Sequence, residues 1–277
     1  MEIPIQQMSL ADYADLQRRL GARIVTRNGL PWRQVRPFFY RPLLPVEARG
    51  ESAGRSPMTW PCGFQYVVAN GGCPNSTMNF VMLDDPGSYS LDGLIHKRRQ
   101  LIKRAAQQFQ VRPLTDPGEL MDRGHRIYLS FHERSRDPYK SDRRREAVFR
   151  RWVDDNFQGG KNIVLGGYGQ DGLAAFSTSQ WVNGTLIYST LICGTEALRR
   201  NLGELMFHEL RLLAARHPGI REVYVRPYQG GNSMDQYYLL RGCRLDRRPA
   251  RLELPALSRA LIRWFAPAKY QVLRGEV

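Results

Sequence analysis

The chain has only four cysteines in 277 residues, Cys62, Cys73, Cys193 and Cys243. None forms a CxxC pair and none is spaced from a histidine as zinc ligands are, so no metal site is expected. Free thiols in a reducing, cytoplasmic setting are the expectation. Also lacking is any run of about 18 apolar residues, and the opening MEIPIQQMSLADYADLQ has no basic segment leading into an apolar one. The chain is therefore read as neither membrane-spanning nor secreted. GxxxxGK(S/T), G-x-S-x-G and HExxH are absent, which removes the usual sequence support for phosphoryl transfer, serine hydrolysis and zinc proteolysis. No internal repeat stands out. Acidic residues are scarce relative to basic ones, 26 against 41, leaving a formal charge of +15. Such an excess favours a polyanionic partner: a nucleotide cofactor, a nucleic acid or an anionic membrane surface.

What is present is ordinary globular material, 42% hydrophobic and 24% charged, enough for one large domain or two smaller ones. Periodicity predicts a helix over Leu10 to Leu20, then Pro- and Gly-rich connections to residue 61, with 40 to 61 as a lid-like loop. Two strands, FQYVVAN and STMNFVMLDD, flank the turn GGCPN. The basic helix LDGLIHKRRQLIKRAAQQF then passes into a short strand, QVRPL. In SDRRREAVFRRWVDDNF, Val148, Trp152 and Val153 share one face and should be buried.

Residues 162 to 193 read as an antiparallel meander of NIVLGGY, LAAFSTSQWV and TLIYSTLIC, its second turn the dipeptide Asn183-Gly184, which favours a type I′ hairpin. A turn with two arginines and a glycine comes next. After it come a helix at about 201 to 216, the strand REVYVRP, the short helix NSMDQYYLLRGC, the strand RPARLEL and an amphipathic tail helix.

This order over residues 160 to 254 resembles the GCN5-related N-acetyltransferase superfamily. The resemblance implies an α/β acetyltransferase-like (GNAT) fold: a mixed, mostly antiparallel sheet flanked by helices. It also implies acetyl-CoA or another acyl-CoA as donor, with the pantetheine arm on the strand ending in Ile192 and Cys193. The family's pyrophosphate loop, Arg/Gln-x-x-Gly-x-Gly/Ala, corresponds to Arg200, Asn201, Leu202, Gly203, Glu204 and Leu205, with Arg199 beside it. Free N–H groups and the positive end of a helix dipole suit a phosphate there. Two departures stand out: Leu205 replaces the last small residue, and Glu204 places a negative charge where phosphate is expected.

The segment from Asn232 through Tyr238 to Gly242 resembles the family's Asn…Tyr-x-x-x-Gly ending, with Cys243 in place of its aromatic residue. Tyr238 then corresponds to the tyrosine that protonates the departing thiolate. Tyr237 or Tyr238 packing the helix on the sheet is the alternative. An amine acceptor needs a base, for which Glu196 is the choice by position, ahead of Glu222 and His208. Gln229-Gly230-Gly231-Asn232 is read as a turn that could border the acceptor.

The first half, with HKRRQLIKRAAQQF and HERSRDPYKSDRRREAVFRRW, is similar to the FemAB-type peptidyltransferases, which are two tandem acetyltransferase-like domains. That implies a divergent copy over 1–115 and a second over 116–277, and aminoacyl-tRNA as an alternative donor. A third class is a basic binding module. In the tail, Leu257, Leu261, Trp264 and Phe265 form a stripe with Arg259 and Arg263 nearby, read as a cap on the core, with an interfacial anchor as the other reading.

Overall fold

A computed structural model describes residues 5–50, 63–135 and 140–276. In chain order the elements are α1 (Leu10–Arg19), β1 (Ile24–Arg27), β2 (Leu30–Arg36), β3 (Phe39–Pro42), β4 (Gly63–Val67) and β5 (Ser76–Asp84). Then come α2 (His96–Ala106), β6 (Gln110–Pro113), α3 (Pro117–Glu119), α4 (His125–Ser135) and α5 (Glu146–Phe157). The meander is β7 (Ile163–Gly169), β8 (Gly172–Val182) and β9 (Thr185–Cys193). Last are α6 (Thr195–Arg199), α7 (Leu202–Arg216), β10 (Glu222–Pro227), α8 (Ser233–Leu239), β11 (Arg244–Glu253), α9 (Ala256–Phe265) and α10 (Pro267–Arg274).

These elements form two compact units. The first holds Met1–Ser9, of which residues 5–9 are described, and Leu83–Val223; the second holds Leu10–Met82 and Tyr224–Val277. Position 115/116, where the sequence suggests a boundary, falls inside the first unit, between β6 and α3.

In the first unit the strands run β9-β8-β7-β6, every neighbour antiparallel. The β8–β9 turn is Asn183-Gly184 with φ of 48° and 82°, the two left-handed residues that a type I′ turn needs. α5 buries Phe149, Trp152, Val153 and Asn156, while Val148 is only half-buried, so the inward face is shifted slightly from the expected one. Gly167 on β7 is required by close packing, because a Cβ there would stand 2.9 Å from Met206 Sδ and 3.0 Å from a Leu202 methyl. Glycine thus lets the first turn of α7 lie directly on the sheet.

In the second unit the strands run β1-β2-β3-β4-β11-β5-β10, with β3 and β4 parallel and the other registered pairs antiparallel. β4 and β5, which the sequence places on either side of a turn, do not pair with each other. β11 lies between them, Ala250 opposite Val67 on one side and Ser76 on the other. An aromatic cluster of Trp32, Tyr40, Phe64 and Tyr66 fills one part of this unit's core.

Three expectations need correction. Residues 21 to 42, taken as connections, contain β1, β2 and β3, and the β1–β2 turn is another Asn-Gly pair, Asn28 and Gly29, at φ of 51° and 73°. Within 40 to 61, Leu43, Leu44 and Val46 are buried, so this part is core; residues 51–61 of the expected lid lie outside the described residues. The tail is two helices, broken where Pro267 opens α10. Its stripe does not cap the core, because Leu257, Leu261, Trp264 and Phe265 are all exposed and Ile262 takes the inward position.

Candidate functional site

The first group of residues is built around the start of α7. β9 leads into it through a bulge: Thr178 pairs with Thr190 and Ser179 with Tyr188, which leaves Ser189 as the extra residue. A bulge bends its strand and re-aims the residues beyond it, here Thr190 to Cys193. Ser189 Oγ hydrogen bonds to Gln180 Oε1 on β8 and holds the bulge in place. Ile192 and Cys193 are buried at the end of β9. The Cys193 carbonyl accepts from Arg134 Nη1 and Nη2 of α4, each at 3.4 Å. Burial pushes the Cys193 thiol up to about 12, so it stays protonated. Cys73 is exposed and Cys243 buried, neither in a disulfide.

Asn201 takes the left-handed conformation, φ 66°, and α7 starts at the next residue. Its carbonyl accepts from Glu204 N at 3.0 Å. Leu202, Gly203, Glu204 and Leu205 are all buried. Glu204 is engaged: Arg98 Nη1 of α2 donates to its Oε1 at 2.6 Å, and the side chains are 16% and 8% exposed for Arg98 and Glu204. The first turn of α7 therefore carries a buried carboxylate that is already paired with its own cation.

The flanking arginines are also occupied. Arg200 Nε donates to Gln108 Oε1 at 2.6 Å, and its guanidinium lies over the Phe109 ring. Arg199 pairs with Glu196 at 2.6 Å on the surface, with Glu196 77% exposed. Glu222 accepts from the Thr185 hydroxyl at 2.8 Å.

Below Glu204 the same face of α7 stays polar at helical spacing, with His208 and Arg211 both buried. Tyr89 Oη lies 2.7 Å from His208 Nδ1. Burial first, and then Arg211 and Arg216, bring the His208 pKa down to about 4, so the ring is neutral in its hydrogen bond with the phenol. The Arg211 guanidinium lies 4.4 Å from the Tyr89 ring centroid and 4.8 Å from that of Phe207. His208 thus belongs to a buried network.

The second group lies in the other unit. Asn232 caps α8: its Oδ1 accepts from Asp235 N at 2.9 Å, and its Nδ2 donates to Gln229 at 3.0 Å. Asp235 is fully buried, accepts from the backbone N–H groups of Gln229 and Gly231, and stands 3.5 Å from Arg226 Nε. The Gly-Gly turn is therefore folded around a carboxylate. Tyr238 is buried and packs edge-on against Tyr237, and burial is the main cause that raises its pKa, which keeps the phenol protonated.

Sequence reasoning missed Arg98, Tyr89, Arg134, Arg211 and Asp235. Arg98 was masked by its basic helix, which reads as a solvated face. A signal did exist for the α7 network, since Glu204, His208 and Arg211 recur at i, i+4 and i+7 on a mostly apolar helix.

A bulged strand leading through a left-handed residue into a helix, within a mostly antiparallel sheet, defines the acetyltransferase-like fold. Solved structures with this architecture span nearly the whole chain. A C-terminal domain ascribed to lysylphosphatidylglycerol synthetase from Agrobacterium fabrum is 11% identical, with a TM-score of 0.59 over 97% of this chain and 96% of that one. FemX gives 0.57 at 8% identity over 90% and 92%, and L-PGS from Bacillus licheniformis 0.55 at 8% over 99% and 99%. No family model and no curated protein sequence matches the chain. Among the described residues, no helix is long and apolar enough to cross a membrane.

Proposed function

We propose that the chain is an acyl-group transferase whose donor is an aminoacyl ester carried on RNA, in preference to a coenzyme A thioester. The observation that carries this reading is the Glu204–Arg98 pair at the α7 start. A pyrophosphate at this turn would approach a helix whose first turn holds a buried carboxylate, and the arginines around it, Arg98, Arg199 and Arg200, already have partners. The +15 charge supports a large polyanion, because each phosphate neutralised by Lys or Arg releases counterions and adds affinity. The likeness in fold to L-PGS and FemX along nearly the full chain supports the same choice.

In the proposed reaction a nucleophilic amine or hydroxyl attacks the ester carbonyl and gives up its proton, the ester C–O bond breaks, and the ribose hydroxyl leaves with a proton from a protein acid, which regains the proton that the nucleophile released. Tyr238, kept protonated by burial, is the proposed proton donor. Transfer from acyl-CoA is the second reading, favoured by the bulged β9 and the left-handed Asn201, a backbone of the shape that the phosphate loop requires. In that reading Ile192, Cys193 and Arg199 through Glu204 bind the cofactor, and Glu196 takes the proton from the amine.

Filter binding with aminoacyl-tRNA, run beside calorimetry with acetyl-CoA, separates the two. Retention of tRNA that weakens steeply with salt, without acetyl-CoA heat, is expected. Saturable acetyl-CoA binding without tRNA retention would reverse the assignment.

A further inference from the structure

Helix α9 is attached along one side and bare along another. Ile262, with Tyr270 and Leu273 of α10, packs against Phe39, Leu252 and Leu254. The backbone around α10 is fastened as well, since Gln65 Nε2 donates to the Leu273 carbonyl at 2.8 Å and Arg274 Nη1 to the Asn75 carbonyl at 2.6 Å. The helix pair is thus fixed to its sheet. Leu257, Leu261, Trp264 and Phe265 nevertheless stand 63%, 47%, 82% and 77% exposed. At about 100° per residue they fall within an arc of roughly 100°, one continuous apolar face. Arg259 and Arg263, both exposed, occupy the remaining solvent-facing surface.

We propose that this face docks the protein on an anionic lipid bilayer, with α9 lying in the headgroup layer. Three observations favour a bilayer over a protein partner. Trp and Phe at the end of an amphipathic helix suit the boundary between headgroups and acyl chains, where ring faces are buried and arginines reach up to phosphates. The charge of the chain is complementary to an anionic surface, whereas a second copy would bring +15 against +15. And the face is convex, on a single helix of 10 residues, a shape that inserts between lipids. The inference is independent of the identity of the donor, because it concerns where the protein sits and not what it transfers.

The test is sedimentation of the full chain with vesicles of phosphatidylglycerol and phosphatidylcholine, compared with phosphatidylcholine alone. Binding to the anionic vesicles is expected, reduced by 0.5 M salt on the order of tenfold or more, and reduced likewise in a Trp264→Ser, Phe265→Ser variant. Ile95→Ser, which removes an exposed apolar side chain in the other unit, should bind as the parent does. Quenching by brominated lipids that disappears in Trp264→Phe would put the indole in the bilayer without relying on the double variant. Equal binding of the double variant and the parent would overturn the proposal. So would a parent that ignores vesicles, including one that forms a dimer by equilibrium sedimentation that the double variant loses, which would make the face a contact between copies.

Discussion

Removing either member of the Glu204–Arg98 pair should be costly, while removing both should not. At 2.6 Å the gross attraction is about 6 kcal/mol at an effective dielectric of ~20. Desolvation of two groups that are only 8% and 16% exposed opposes it by several kcal/mol per ion, so the intact pair contributes little net stability. The asymmetry appears on mutation. Glu204→Leu strands the Arg98 cation beside the start of α7, whose dipole repels it, and should destabilise by about 3 kcal/mol. Arg98→Met strands the carboxylate, which the same dipole favours, and should cost somewhat less. The double variant should recover most of the loss, which corresponds to a coupling of about 4 kcal/mol. Urea unfolding followed by circular dichroism measures all four proteins. Purely additive effects, or single variants within ~0.5 kcal/mol of the parent, would refute the view that this pair closes the helix start.

Other outcomes rest on the same geometry. His208 has its folded pKa lowered from 6.5 to about 4, so the unfolded chain binds the proton more readily; this part of the stability is complete above pH 6.5 and falls with acid towards pH 4. A His208→Gln variant should show a shallower loss over that window in thermal melts at a series of pH values, and an unchanged slope would count against the neutral ring. Asp235→Ala should lower stability by about 3 kcal/mol, since two backbone N–H groups and Arg226 lose a fully buried acceptor; a thermal shift under about 1 °C would contradict this. Gly184→Ala should cost roughly 1–2 kcal/mol, because φ is +82° and the new methyl would meet Arg221 at 2.5 Å; amide exchange in the β8–β9 hairpin reports it. Tyr238→Phe should keep the fold and lose acyl transfer, checked by single-turnover kinetics once a donor is bound.

The sequence shows most of the first unit because its signals are local. The meander, its Asn183-Gly184 turn and α7 lie close to their expected positions, as do β10 and α8 beyond them. The second unit is harder, because its strands pair across long sequence distances. β1 to β3 are short, carry prolines and sit among turn residues, so their periodicity is weak; the Asn28-Gly29 turn is the one local marker. For the site, backbone shape is legible and occupancy is not. The helix start follows from the local pattern, but Arg98 lies 106 residues from Glu204 and reads as one more cation on a basic helix. Asp235 is similar, a surface-type residue folded inward by a glycine turn.

The position of β11 between β4 and β5 sets an order of birth for the molecule. On a ribosome, β5 emerges complete at Asp84, and β11 begins at Arg244, roughly 160 residues later. At ~5–20 residues per second that is on the order of 8–30 s, during which β4 and β5 both wait with facing edges unpaired. The first unit, contiguous from Leu83 to Val223 apart from its N-terminal strip, is synthesised within that interval. The nascent chain therefore carries one finished unit and one open sheet, and the open sheet offers β4 and β5 as templates for wrong partners until its last strand arrives. Loss of the C-terminal 34 residues, from Arg244 onward, would leave that gap permanently open.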